Sequence, residues 1–383
     1  MKQIYIDYNA TTPLKSEVYE AMLPYLKENF GNPSSIHWAG QAAKKALMTA
    51  REQVAHLFHI DPQSLIFTSG GTEANNLALK GVFEAFRSKG NHIITTKVEH
   101  KSILDTCEYL QKQGAKITYL SVNEKGQISL EELKNSICPQ TILISIQAAN
   151  NETGVVMPLK EISKIAKEHR ILFHSDAVQW AGKKELFLDE IPIDLVSISS
   201  HKLYGPKGAG ALILRKGLKL EALIHGGNQE RKRRGGTENV SSIVGFGAAS
   251  ELLSHSIDNE RLLGLRDRLE EGIQTHIPGV VINGKEAERV SNTLNVSFSG
   301  VEGEGILLNL DLKGIAASSG SACSSGSLDP SHVLLAMGRS EELALSSVRF
   351  SLGYQNTKED IDTIIQELPG IISSLREMNK SCS

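Results

Sequence analysis

The stretch "IFTSGGTEAN", residues 66–75, leaves a strand and enters a helix with no linker between them. Its apolar opening gives way to Ser69, Gly70, Gly71 and Thr72, residue types that turn a chain and start a helix. Short apolar runs alternate with helical patterns from about residue 60 to 215, where "SLIFTSGG", "NHIITT", "KITYLSV", "TILISIQ", "RILFHSD", "IDLVSISS" and "GALILR" read as strands. Strands separated in this way by helices predict an α/β fold, a mostly parallel seven-stranded sheet covered by helices on both faces.

Beyond residue 250 the texture changes. "ELLSHSIDNERLLGLRDRLEEGIQTHI" predicts a long helix, and "TLNVSF" and "SSVRFSLG" predict short strands. Two helical segments, "EGILLNLDLKG" and "DPSHVLLAMG", flank the serine-rich stretch "SSGSACSSGS" at 318–327, and a last amphipathic helix begins near Lys358. At 383 residues the chain exceeds the length at which single cores stop growing, about 250 to 300 residues. The expected division is a large α/β domain over 16–255 and a smaller α+β domain made of 1–15 and 256–383. The smaller domain carries the segment around 316–330.

Composition narrows the function. Hydrophobic residues make up 40% and charged residues 22%, as in ordinary globular domains, and a net charge of -3 argues against bulk binding to nucleic acid or anionic membranes. The run "RKRR" at 231–234 reads as a solvated charged loop. "MKQIYIDYNATTP" lacks a signal-peptide core, and no apolar run approaches a membrane span, so a cytoplasmic protein is expected. Cys107, Cys138, Cys323 and Cys382 show no disulfide or zinc spacing and suit a reducing compartment. Packing is the default for the first two, and a frayed end for the last. Cys323 differs, because it stands alone among Ser, Gly and Ala, which offer a thiol nothing apolar to bury against.

Ligands of open α/β sheets bind beyond the carboxyl ends of the strands. Gly71 and Thr72 there would offer helix-terminal amides and a hydroxyl to an anion. "ILFHSDAVQ" places Asp176 after a strand with Gln179 beyond it, and "SISSHKLYGPKGAGAL" supplies Ser199, His201 and Lys202 at the next strand end. His100 follows the strand in "ITTKVEH". "GPKGAG" lacks P-loop spacing and precedes a strand, and His56 with His59 has no third ligand nearby, so neither is read as a site. A phosphate cradle, a carboxylate and a lysine at adjacent strand ends together meet the needs of pyridoxal phosphate.

The motifs "DYNATTP", "FGNPSS", "FTSGGTEANNLALKG", "EH", "NNETG", "HSDAVQ", "SSHKLYGPKGAGAL", "RRGGTENV" and "SSGSAC", in this order, resemble those of NifS/IscS-type cysteine desulfurases. The resemblance runs from about Ile4 to Gly353, and the serine-rich stretch is similar to the group with a long catalytic loop, not the SufS-like group. It implies a fold-type I pyridoxal-phosphate enzyme in which Lys202 holds the cofactor and moves the Cα proton. Asp176 would pair with the ring nitrogen, Gln179 with the ring oxygen, and His100 would stack on the ring. Gly71, Thr72, Ser199 and His201 would hold the phosphate, joined across a homodimer interface by Thr237.

Arg349, helped by Asn151, would bind the carboxylate of L-cysteine, and Cys323 would take its sulfur as a persulfide. The sulfur would pass to an acceptor, either an iron-sulfur scaffold or a tRNA-thiolation enzyme. The chain runs only to Ser383 after "RFSLG", without the longer tail that housekeeping members use in docking the scaffold, which leaves the acceptor open. Ser200 departs from the Gly or Ala that is usual at its position. Two alternatives stand beside this reading: a selenocysteine lyase or related enzyme with Cys323 incidental, and an inactive sulfur-transfer scaffold.

Overall fold

A computed structural model describes residues 2–184, 188, 190–256, 258–319 and 329–382. Cys323 lies outside the described residues. The chain begins with β1 (Ile4–Tyr5), α1 (Ser16–Lys27) and α2 (Trp38–Leu57). Strands and helices then alternate: β2 (Leu65–Thr68), α3 (Gly71–Phe86), β3 (His92–Thr96), α4 (Lys101–Lys112), β4 (Lys116–Leu120), α5 (Leu130–Asn135), β5 (Thr141–Ser145), α6 (Leu159–Glu168) and β6 (Leu172–Asp176). After β7 (Leu195–Ser199) and β8 (Gly210–Leu214) comes α7 (Val240–Ser256).

The seven predicted strands form one sheet in the order β2-β8-β7-β6-β5-β3-β4. Neighbours from β7 to β4 pair in parallel, whereas β8 runs antiparallel to both β7 and β2. The reversal follows from the connection: between β7 and β8 lies only a turn, and parallel neighbours need a crossover. Side chains alternate between two buried faces, which is why the strands read as continuous apolar runs. Leu143, Leu172, Leu195 and Leu212 join one core, while Ile144, Phe173, Val196 and Ile213 join the core on the opposite face.

On that second face α2 packs on α7 through small residues. Ala43, Ala46 and Ala50 of α2 are buried, and a Cβ added at Gly247 would lie 2.6 Å from the Ala50 Cα, so the two backbones approach closely. The remaining elements are α8 (Asn259–His276), β9 (Val280–Ile282), β10 (Thr293–Phe298), α9 (Gly303–Leu312), β11 (Ile315–Ala316), α10 (His332–Ala336), α11 (Glu341–Leu345), β12 (Ser347–Ser351) and α12 (Lys358–Cys382). β9, β10 and β12 make an antiparallel sheet in the order β12-β10-β9, and β11 pairs in parallel with β1. A separate hydrophobic core, including Leu269, Phe298, Phe350 and Leu368, lies among α8, α12 and these strands. The N-terminal segment is thereby fixed to the second core before it crosses to the large sheet.

Candidate active site

The carboxyl ends of the parallel strands deliver the predicted residues to one place. Asp176 is the last residue of β6, Ser199 the last of β7, and Lys202 ends the single 3-10 turn Ser200–Lys202 that follows. They line a cavity of about 220 Å³ together with Gly71, Thr72, His100, Asn151, Gln179 and His201. The Lys202 Nζ donates to the carbonyls of Asn9 at 2.5 Å and Ala10 at 2.6 Å, so the "DYNATTP" segment arches over the lysine.

One wall suits a phosphate. Helix α3 begins behind Gly70, whose lack of a side chain leaves the first turn without a side-chain cap. A Cβ on Gly71 would lie 2.8 Å from Val178 Cγ2, so only glycine lets the helix start sit this close to the cavity floor. The buried Ser199 Oγ has no hydrogen-bond partner among the described residues. Burial, then the charges of Lys202 and Lys207, pushes His201 down to about 4, leaving a neutral imidazole on the same cavity at neutral pH.

The floor suits a protonated ring nitrogen. Asp176 is only 7% exposed, and its oxygens accept from Asn75 Nδ2 at 2.7 Å and from the Val178 amide at 3.0 Å. Asn75 also donates to Ser102 Oγ at 2.8 Å, and Ser102 Oγ lies 2.8 Å from His100 Nδ1. Asp176 and His100 are thus joined by a hydrogen-bonded chain. His100 does not directly follow the strand, as its sequence position had suggested; it is the N-cap of α4, and its Nδ1 accepts from the Ser102 amide at 3.1 Å. That bond puts the proton of the neutral ring on Nε2. An anion cradle, a fixed carboxylate and a lysine around one cavity fit pyridoxal phosphate.

Two predicted residues lie elsewhere, and a third is not described. Arg349 does not line the cavity: it is buried behind Asn151, donating to the Asn151 carbonyl at 3.1 Å and pairing with Asp7 at 2.8 Å. Thr237 lines a neighbouring cavity of about 160 Å³ with Ser69, Gly208 and Arg234. Cys323 falls outside the described residues, but both flanks of its segment are anchored. Ser318 and Arg349 exchange backbone hydrogen bonds, while Ser331 donates to Glu152 and the His332 Nε2 bonds the Glu99 carbonyl at 3.0 Å.

The "RKRR" run is not simply solvated. Arg231 donates to the Leu65 carbonyl at 2.6 Å, and Arg234 grips Glu73 of α3 with two nitrogens, at 2.9 and 3.3 Å. Cys107 is a core residue whose thiol burial pushes up to about 12. Sequence reasoning assigned nothing to Asp7, Asn9, Asn75 or Lys183. Asn9 and Asn75 line the cavity, while Lys183 bonds to Gln179 and Asp7 to Arg349; Asp7 and Asn9 fall within "DYNATTP" and Asn75 within "FTSGGTEANNLALKG", motifs that carried no role for them.

The aminotransferase class-V family profile matches residues 4–364. A cysteine desulfurase IscS from Clostridium botulinum is 51% identical over 382 residues, covering 99% of this chain and 96% of that protein. A solved NifS-like protein superposes with a TM-score of 0.91 at 37% identity, covering 98% of this chain and 100% of the other. The structure of SspA in complex with cysteine has a TM-score of 0.82 at 37% identity, covering 92% and 99%. By profile, sequence and fold alike, the chain belongs to the aminotransferase class-V family and, within it, to the NifS/IscS-type cysteine desulfurases.

Proposed function

We propose that this pyridoxal-phosphate enzyme removes sulfur from L-cysteine, releases L-alanine and carries the sulfur as a persulfide on Cys323. The observation that carries the reading is the convergence of Lys202, Asp176 and the uncapped start of α3 on one cavity. The cofactor supplies an electron sink for bond breaking at the substrate carbon. Lys202 holds it and moves the Cα proton, Asp176 keeps the ring nitrogen protonated, Gln179 binds the ring oxygen, and His100 covers the ring face. Gly71, Thr72, Ser199 and His201 bind the phosphate. Asn151 and Arg349 receive the substrate carboxylate, with Arg349 exchanging part of its Asp7 pairing for it.

Cys323 acts as the thiolate, because a thiol of ordinary pKa, about 8.5, is a weak nucleophile until deprotonated. Its sulfur bonds to the substrate sulfur as the carbon–sulfur bond breaks, and the bonding pair stays with the carbon fragment, which takes up protons to become alanine. The persulfide then passes its outer sulfur to an acceptor thiol, on an iron-sulfur scaffold or a tRNA-thiolation enzyme in the cytoplasm.

A homodimer completes the site. Phe30, Ile36 and Trp38 are 79%, 92% and 76% exposed, an apolar patch at the start of α2 that suits a second copy. Thr237 would then reach the partner's phosphate site. The separate core that joins Ile4 and Ile6 to residues within 262–372 supports a smaller domain of 1–15 with 256–383 beside 16–255, with Val290, Val333, Leu334, Met337 and Ala344 of that stretch packed into the large core. The test is alanine release from L-cysteine by the cofactor-loaded protein with a thiol reductant present. Wild type should release alanine and Cys323→Ala should not; equal release by both would favour a lyase in which Cys323 is incidental.

A further inference from the structure

Lys183 is a buried amine to which the reaction assigns no part. Its Nζ donates to Gln179 Oε1 at 2.5 Å and to Asn9 Oδ1 at 2.8 Å, and among the described residues no carboxylate pairs with it. Burial, then the positive charges of Lys202 and Arg349, drives its pKa well below the usual lysine range. Its N–H groups are directed at two amide oxygens, one on Gln179 and one on Asn9.

Gln179 is held from its other end as well. Its Nε2 donates to the Asn9 carbonyl at 3.0 Å, the same carbonyl that receives Lys202. Lys183 presents N–H to one end of the amide and Asn9 presents a carbonyl oxygen to the other. A flipped amide would set donor against donor and acceptor against acceptor, so one orientation survives. In that orientation the NH₂ group has one hydrogen on Asn9 and a second left for the cavity that Gln179 lines.

We propose that Lys183 is a positioning residue: with the Asn9 carbonyl it clamps the Gln179 amide so that an N–H, and not the oxygen, faces the ring oxygen of the cofactor. This rests on the placement of pyridoxal phosphate proposed above. Lys183 acts through its N–H donors. The other charged or titratable groups around it are Arg349 and, lining one small cavity with it, Lys202, Tyr8, Lys15, Tyr204, Asp258, Arg261 and Tyr354.

The test is the pH titration of the visible absorbance of the holoenzyme in wild type, Lys183→Met, Lys183→Gln, Gln179→Met and the double Met variant. A donor on the ring oxygen stabilises its negative charge most when the adjacent nitrogen is deprotonated, so losing the donor raises the midpoint. Lys183→Met should raise it by about one pH unit, the worth of one hydrogen bond to a charged group. It should also lower kcat with little change in KM for L-cysteine. Gln179→Met should give the same shift and the double variant no more, whereas Lys183→Gln, which keeps a donor, should stay near wild type.

An unshifted midpoint in Lys183→Met, an additive double variant, or a Lys183→Gln shift as large as that of Lys183→Met would overturn the proposal. If Lys183→Met does not fold, the Lys183→Gln comparison with Gln179→Met still decides. A wild type with no visible band would instead refute the cofactor placement itself.

Discussion

The substitution Asp176→Asn separates a cofactor role from a structural one. Both carboxylate oxygens accept from donors, and one of these, the Val178 amide at 3.0 Å, is backbone and cannot turn away. The oxygen of the substituted side chain must therefore stay on Val178, which points the new NH₂ at Asn75. Asn75 can answer: its own Oδ1 is buried without a partner among the described residues, and rotating the amide would let it accept. The rotation sacrifices the 2.8 Å bond from Asn75 to Ser102, a loss of about 1 kcal/mol. The protein without cofactor should thus melt only about 1 to 2 °C lower, given the size of the chain.

Cofactor binding should suffer far more. The charge-assisted bond to the ring nitrogen is worth about 1.5 to 3 kcal/mol, so affinity should fall about 10- to 150-fold. Both quantities are measurable on the same preparation, by thermal unfolding of the apo form and by absorbance titration with pyridoxal phosphate. An affinity change under about threefold would refute the assignment of Asp176 to the ring nitrogen. A melting drop above about 6 °C would show that the carboxylate is needed mainly for the fold.

Glu99 and His174 should tilt stability in opposite directions with pH. Burial raises the Glu99 carboxyl to about 8, so its protonated form stabilises the fold below its unfolded value near 4.5, and this contribution is lost as pH rises through 8. Urea midpoints of Glu99→Gln should fall less between pH 5 and pH 8 than those of wild type. Burial lowers His174, set between Ser145 and Ser197, to about 3, so its contribution is present above 6.5 and is lost as pH falls toward 3. His174→Gln should therefore flatten the acid limb of the same curve, and an unchanged limb would count against it. Trp38→Glu, at a side chain 76% exposed, should leave the melting temperature within about 2 °C while light scattering shows a monomer; an intact dimer would move the interface elsewhere.

The seven strands were readable because a sheet buried on both faces writes itself as apolar runs, and the strand-end residues were readable because they follow such runs. The reversal of β8 was not, since direction depends on whether a crossover helix intervenes, and the glycine-rich turn before β8 does not announce its path. Asn9 illustrates the harder limit. Its partners Lys183 and Lys202 lie 174 and 193 residues away, and no local pattern foretells contacts of that range. Asn75 was hidden differently: it stands inside the opening motif, but its role depends on Asp176, 101 residues away, and on Ser102, 27 residues away. The Arg234–Glu73 grip also escaped, because four consecutive basic residues look alike until the fold supplies a carboxylate for one of them.

The fixed flanks of the Cys323 segment set a leash. Ser318 is tied to β12 by its backbone, and Cys323 stands five residues further along. Whatever path the intervening chain takes, five residues span at most about 17 Å. The longer arm, nine residues back from His332, imposes a looser bound of about 31 Å. The shorter arm therefore governs. For a persulfide carried on Cys323, as proposed above, an acceptor would have to bring its own thiol close to that radius of β12, so delivery would depend on where the acceptor seats itself relative to that strand. Inserting two glycines between Ser318 and Cys323 would widen the radius by about 7 Å and relax that demand, and deleting two would tighten it.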